Sequence, residues 1–328
     1  MKKYLITGGA GSLGKALVKR LSENQENQIY VYSRDEGKHA LSFGHNPNVT
    51  CFVGDIRDYD RLNHVFGIVK PDYVIHAAAL KRIDDMELNP TECIKTNTNG
   101  SENVAKVSLQ HKVSKCILVS TDKACEPVNV YGSSKFIAER IFTNYDYYSD
   151  HTIFSSVRYG NVIASRGSFI PLWVDLINSN KKLKVTSTEM TRFLFTLSDA
   201  VDVVLNSLHL SEGGEVFIPK IKSYTLPSCI NALGELLQKT PEYDVIGLRP
   251  GEKLHEDMLG ESELHFTYEI KTSNIDLLQV RPQYTKRIFT KRPVYKGLHF
   301  NSSLHVSEKV DELLTLIKRG LLDTIDDV

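Results

Sequence analysis

With 328 residues the chain can bury a sizeable core, either as one large domain or as two closely joined ones. Lys plus Arg and Asp plus Glu total 40 each, and this zero net charge gives no basis for electrostatic capture of nucleic acid or an anionic membrane. The five cysteines are scattered and without CxxC spacing, which argues against a disulfide framework or zinc site and for a reducing compartment. The opening Met1-Lys-Lys-Tyr-Leu-Ile-Thr7 is too short in apolar residues for a signal peptide, and no later run is long enough to span a bilayer. A soluble cytoplasmic protein is expected.

The predicted elements alternate through the first half. Tyr4–Ile6, Ile29–Tyr32, Val49–Val53, Tyr73–Ile75, Cys116–Val119 and Thr152–Val157 read as strands. Helical spacing fills Leu13–Leu21, Asp60–Val69, Pro90–His111 and Ser133–Asn144 between them. This β-α-β alternation predicts an α/β fold, a Rossmann-like doubly wound parallel sheet covered on both faces. Beyond about Gly160 the pattern loosens into a helix at Ser168–Asn178, a strand at Thr191–Phe195, a helix at Ser198–Leu208 and a strand at Glu215–Pro219. A helix at Leu226–Gln238, the loop Gly247–Lys253 and an irregular tail ending in a helix near Ser307–Arg319 follow. We therefore expect a dinucleotide-binding domain over 1–160 and 194–219. A smaller, partly interleaved substrate domain is expected over 161–193 and 220–328.

Gly8-Gly-Ala10-Gly11-Ser12-Leu13-Gly14 lies between the first strand and the first helix. Glycines there allow a tight turn, and the helix N-terminus then faces a pyrophosphate. The end of the second strand, where a carboxylate usually selects NAD, reads Ser33-Arg34-Asp35. Ser33 and Arg34, with Lys38 nearby, suit the 2′-phosphate of NADP. Asp35 can bind a ribose or cap the next helix. Asp55-Ile56, after the third strand, can meet the adenine or serve as a cap, and Ala77 and Ala79 follow the fourth.

Ser120-Thr121-Asp122-Lys123 is followed by Tyr131-Gly-Ser-Ser-Lys135. Tyr131 and Lys135 are four apart and share a helix face, where an ammonium lowers a phenol pKa from its usual value near ~10. Alone, such a pair is commonly a surface feature. Asp122-Lys123 adds a second acid/base couple that a simple alcohol dehydrogenase does not need. Cys125, just beyond, is expected to be accessible but has no partner that requires a thiol. His76 is expected to order the loop near the cofactor, with no metal role, and Trp173 and the aromatic tail to serve packing or an interface.

The glycine loop, His76-Ala-Ala-Ala79 and Tyr131-x-x-x-Lys135 together resemble an extended short-chain dehydrogenase/reductase. Phe52-Val-Gly-Asp-Ile-Arg57, Ala77–Lys81, Cys93-Ile-Lys-Thr-Asn97, Ser120–Ala124, Arg158-Tyr-Gly-Asn161, Ser165-Arg-Gly-Ser168, Met190-Thr-Arg-Phe193 and Arg249-Pro-Gly-Glu-Lys253 narrow the match. They resemble the inverting UDP-N-acetylglucosamine 4,6-dehydratases, from residue 4 to about 260.

That resemblance implies an internal redox cycle on UDP-N-acetylglucosamine, with NADP as cofactor. Tyr131, helped by Thr121, takes the 4-hydroxyl proton, and Lys135 lowers the Tyr131 pKa and holds the nicotinamide ribose. Lys123, its own pKa depressed by burial and neighbouring cations, removes the C5 proton, while protonated Asp122 serves the departing 6-hydroxyl. Lys123 stands where retaining relatives carry Glu, which implies inversion at C5. Lys81 and Asn161 are implied near the sugar, and Arg192, Arg249 and Glu252 in the nucleotide pocket; read without the family, the two arginines are salt-bridge residues. A homo-oligomer, dimer to hexamer, is also implied. The rival readings are a dehydratase with added C5-epimerase activity, a 4-epimerase, and an NADP-sensing binding protein.

Overall fold

The computed structural model describes residues 1–44, 46–163, 165 and 167–325. Arg166 of the Ser165–Ser168 motif therefore lies outside the described residues.

The first half runs β1 (Lys2–Thr7), α1 (Ser12–Ser22), β2 (Asn27–Ser33), α2 (Glu36–Phe43), β3 (Val49–Val53), α3 (Tyr59–Val69) and β4 (Tyr73–His76). Then come α4 (Ile83–Leu88), α5 (Pro90–Cys93), α6 (Gly100–Gln110), β5 (Lys115–Val119), α7 (Val130–Tyr148) and β6 (Ile153–Val157). The second half holds β7 (Asn161–Val162), α8 (Phe169–Asn178), β8 (Leu183–Val185), β9 (Thr191–Phe195), α9 (Leu197–Leu210) and β10 (Val216–Pro219). It continues through β11 (Ser223–Thr225), α10 (Leu226–Leu237), β12 (Tyr243–Val245), β13 (Asp257–Leu259), β14 (Thr267–Ile270), β15 (Leu277–Val280), β16 (Phe300–Asn301) and α11 (Val310–Ile325).

Among the described residues, nine strands form the main sheet in the order β14-β15-β10-β6-β5-β4-β1-β2-β3. From β3 to β10 all neighbours are parallel, and the order reverses between β1 and β4. Ligands of open α/β sheets bind at such a reversal, beyond the carboxyl ends of the strands. Strand residues alternate between two cores. Leu5, Val74, Cys116 and Leu118 join the α3/α6/α7 side, while Ile6, Ile75 and Ile117 join the α1/α9 side. Burial on both faces explains why these strands read as continuous apolar runs.

A separate core forms around Trp173, Ile177, Leu183, Met190, Ile230 and Leu233, and α11 covers it with Leu313, Leu314 and Ile317. Trp173 contributes by edge-on packing with Phe169 at 4.9 Å. Two strands of the tail behave differently from the pattern read in the sequence. Thr267–Ile270 and Leu277–Val280, inside the range assigned above to the smaller domain, extend the main sheet, β15 antiparallel to β10 and β14 antiparallel to β15. The expected Pro90–His111 helix is also interrupted, by a π-helical turn over Ile94–Asn99. α11 begins at Val310, later than the predicted start near Ser307.

Candidate active site

The residues expected to hold the cofactor lie at the carboxyl ends of β1, β2, β3 and β4. Gly8, Ala10, Gly11, Ser12, Leu13 and Gly14 span the β1–α1 turn; Ser33 and Arg34 close β2; Asp35 and Lys38 open α2; Asp55 and Ile56 follow β3; Ala77 and Ala79 follow β4. Gly8 has φ +72°, and a Cβ there would sit 2.7 Å from the Ala78 backbone, so no other residue keeps the turn against the β4 loop. Asp35, Asp58, Asn129, Thr196 and Thr225 each cap a helix through a side chain. Helix α1 has no side-chain cap and no acidic residue in its first turn. Its positive end thus presents backbone N–H groups, the chemistry that suits a dinucleotide pyrophosphate.

At the selectivity position, Asp35 accepts from Lys38 N at 3.0 Å and pairs with Lys38 Nζ at 2.5 Å. The Lys38 hydrogen bonds hold its carboxyl below the usual range. Ser33 Oγ lies 2.5 Å from His39 Nε2, and Arg34 is exposed. Asp55 is engaged by Arg57, through Nε at 3.0 Å, Nη2 at 2.7 Å and the backbone N at 3.0 Å. Burial pushes the Asp55 carboxyl up, but the Arg57 hydrogen bonds outweigh it and leave it lowered. The cap of α3 is Asp58, not Asp55.

The β4 loop is fastened from two sides. Buried His76 places Nδ1 2.6 Å from Thr7 Oγ1 and Nε2 2.9 Å from Ser101 Oγ. Burial drives its pKa well down, so it acts as a neutral strut rather than a charge. Asn97, in the π-helical turn, accepts from Leu80 N at 2.8 Å and donates to Leu80 O at 2.9 Å. That double contact gives the irregular turn a purpose, since π-bulges recur at functional sites.

The acid/base residues meet at the carboxyl end of β5. Thr121, Asp122 and Lys123 enter a 3-10 turn, and Asn129 caps the helix that carries Tyr131 and Lys135. A Cβ on Gly132 would fall 2.1 Å from Lys123 O, so glycine lets the helix approach the turn. Thr121 Oγ1 donates to Asp122 Oδ1 at 2.8 Å and also hydrogen-bonds the Tyr131 side chain. Lys123 Nζ lies 3.0 Å from Asp122 Oδ1 and 3.3 Å from Glu256 Oε1.

These contacts correct two expectations. Burial works against the Lys123 charge, but Asp122 and then Glu256 outweigh it, so its pKa is raised rather than depressed. Burial also pushes Tyr131 up to about 12; the opposing cation is Lys123, with the Thr121 hydrogen bond, and not Lys135. Lys135 is itself brought down to about 8 by burial, against the pull of Glu139. Cys125, expected to be accessible, is buried, and burial pushes its thiol up.

Arg192, Arg249 and Glu252 come together in one chain of charges. Arg249 Nη2 lies 3.0 Å and Arg192 Nη2 3.4 Å from Glu252 Oε1, and Arg192 Nε lies 3.9 Å from Glu256. Arg192 is buried and donates to the carbonyls of Thr191, Lys253 and Leu254. Arg249 also reaches Asp84 at 2.9 Å. Asn129 Nδ2 donates to Gly251 O at 2.7 Å, which ties this loop to the Tyr131 helix. Lys81 is exposed beyond β4, and Asn161 begins β7. Asn161 Oδ1 and Asp122 Oδ2 are buried acceptors without a hydrogen-bond partner among the described residues. Sequence reasoning missed Glu256. Its signal was faint, a single carboxylate just past the Arg249–Lys253 motif.

The sheet order and the glycine turn define a Rossmann-like fold, a mostly parallel sheet with helices on both faces. Residues 4–276 match the family described as polysaccharide biosynthesis protein, and the chain belongs to that family. It is 45% identical over 276 residues to the inverting UDP-N-acetylglucosamine 4,6-dehydratase of Campylobacter jejuni, covering 82% of this chain and 81% of that protein. It is 38% identical to a UDP-glucose 4-epimerase of Rickettsia massiliae, covering 80% of this chain and 79% of the other. Among solved structures, Pen from Bacillus thuringiensis superposes with a TM-score of 0.88 at 33% identity, covering 98% of both chains. Among the described residues no helix is long and apolar enough to cross a membrane.

Proposed function

We propose that this enzyme dehydrates UDP-N-acetylglucosamine at C4–C6 with inversion at C5, forming UDP-2-acetamido-2,6-dideoxy-L-arabino-hex-4-ulose. The observation that carries the reading is Lys123, held 3.0 Å from Asp122 beside Tyr131. The similarity to the Campylobacter dehydratase supports the substrate.

The open N-terminus of α1 and the β2 end support NADP as the bound cofactor, held by the glycine turn, Ser33, Arg34 and Lys38. When bound, NADP would supply the hydride acceptor for C4 and the hydride donor for C6. Asp35, already neutralised by Lys38, leaves Arg34 as the exposed charge for a 2′-phosphate. Tyr131 takes the 4-hydroxyl proton with help from the Thr121 hydrogen bond and the Lys123 charge, both of which oppose the burial that disfavours its phenolate.

The resulting ketone acidifies the C5 proton. Shifting one proton across the 3.0 Å contact from Lys123 to Asp122 yields both a neutral amine and a protonated acid at unchanged net charge. Lys123 then takes the C5 proton, whose C–H electron pair passes into the ring carbonyl system. As the C6–O bond breaks, Asp122 gives its proton to the leaving oxygen, and water departs. Both residues are thereby reset. As hydride reaches C6, a solvent-derived proton adds to C5 on the opposite face. Tyr131 releases to solvent the proton it took from the 4-hydroxyl, which closes the proton balance. Asn161 and Lys81 are proposed for the sugar, Arg192, Arg249 and Glu252 for the nucleotide.

A 4-epimerase reading draws on the Rickettsia relative. Incubation with UDP-N-acetylglucosamine in heavy water, followed by NMR, separates the two. We expect a 4-keto-6-deoxy product of L-arabino configuration, with deuterium at C5 and no accumulated reduced cofactor. Retained configuration at C5 would reject inversion, and an intact 6-hydroxyl with an inverted C4 would establish the epimerase.

A further inference from the structure

Glu256 belongs to none of the motifs above, yet it is buried 3.3 Å from Lys123 Nζ and 3.9 Å from Arg192 Nε. Its backbone is pinned from both sides: Glu256 N donates to Ser302 Oγ at 2.9 Å, and Ser302 N donates to Glu256 O at 2.8 Å. Ser302 Oγ is also 2.6 Å from Thr191 Oγ1, next to Arg192. The carboxylate is thus delivered to Lys123 from a fixed strand end, and its burial is tolerable because two cations face it.

We propose that Glu256 is the positioning residue of the elimination: it holds Lys123 Nζ against Asp122 and stabilises the ammonium formed when the amine takes the C5 proton. This inference rests on the dehydratase reading. The charged and titratable groups facing Lys123 are Asp122, Glu256, Arg192 and the Tyr131 phenol. Asp122 and Lys123 share one movable proton, and Glu256 and Arg192 frame them with one charge of each sign. If Glu256 stays anionic while the proton leaves Lys123 and comes back, it acts without entering the proton balance. Through Arg192 it also joins the amine to Glu252 and Arg249, so seating of the Arg249–Glu256 loop and alignment of the base become one event.

Glu256→Gln keeps the shape and removes the charge. Assayed as holoenzyme with UDP-N-acetylglucosamine, it should lose about 10²-fold in kcat with KM unchanged, the scale of a displaced catalytic group. The basic limb of kcat/KM should move down by roughly 1–3 units. Activity needs the shared proton, and without a neighbouring carboxylate Lys123 gives it up at lower pH. Single-turnover C4 oxidation should keep its wild-type rate, which also reports that the protein is folded. Should Glu256→Gln not fold, Glu256→Asp retains the charge and should lower kcat while leaving the basic limb in place. An unmoved basic limb in Glu256→Gln, or equal losses of C4 oxidation and elimination, would overturn the inference. A wild-type enzyme that forms no 4-keto-6-deoxy product would overturn the dehydratase reading itself.

Discussion

The two halves of the candidate active site are built by opposite physical means. Around Tyr131 and Lys135, burial dominates and leaves both groups closer to neutrality, the phenol pushed up to about 12 and the amine down to about 8. Around Lys123, two carboxylates outweigh burial and fix a cation. The first half sits on one helix, α7. The second is completed by Glu256, a residue from a loop distant in sequence. On the proposed function, the first half serves the redox steps and the second the elimination.

Tyr131→Phe breaks the redox half most severely. Loss of the base should cost about 10²–10⁴-fold in turnover and stop C5 exchange as well, because no ketone forms; deuterium wash-in at C5 checks this. Arg34→Ala sharpens the cofactor side. It should weaken NADP binding by about 10–10²-fold and leave NAD unaffected, as measured by titration calorimetry, since an arginine–phosphate bond contributes about 1.5–3 kcal/mol.

Asn129→Ala tests whether the halves are joined. It removes the α7 cap and the Gly251 contact together. We expect a loss of about 1 kcal/mol in stability by chemical denaturation, with elimination slowed more than C4 oxidation. The smallest effect lies at the far end of the sheet. Glu215, pushed up to about 7 by burial against its backbone hydrogen bonds, binds a proton more readily folded than unfolded. Its contribution is fully present below the unfolded pKa of about 4.5 and lost as pH rises through about 7. The melting temperature of Glu215→Gln should fall less across that window than that of the wild type, with catalysis unchanged.

The first six strands were legible because doubly buried strands appear as apolar runs between glycine and helix signals. Tyr131 and Lys135 were legible because helix spacing alone places them together. Strands β14 and β15 were not, being four residues each and added antiparallel at one side of the sheet, outside the β-α-β alternation. The π-helical turn was hidden because helical spacing does not separate it from an α-helix, and its Asn97 contacts reach Leu80, outside the helix. Glu256 was missed because no spacing rule relates it to Lys123. The directions of the Lys123 and Tyr131 pKa shifts were misread for the same reason, since they depend on which charges the fold assembles.

The division of labour is tested most directly by Lys123→Ala in a single turnover with UDP-N-acetylglucosamine, following nicotinamide absorbance and C5 deuteration together. The account predicts slow build-up of reduced cofactor, no deuterium at C5 and no 6-deoxy product. Full turnover to the 4-keto-6-deoxy sugar, with no reduced cofactor accumulating, would contradict it.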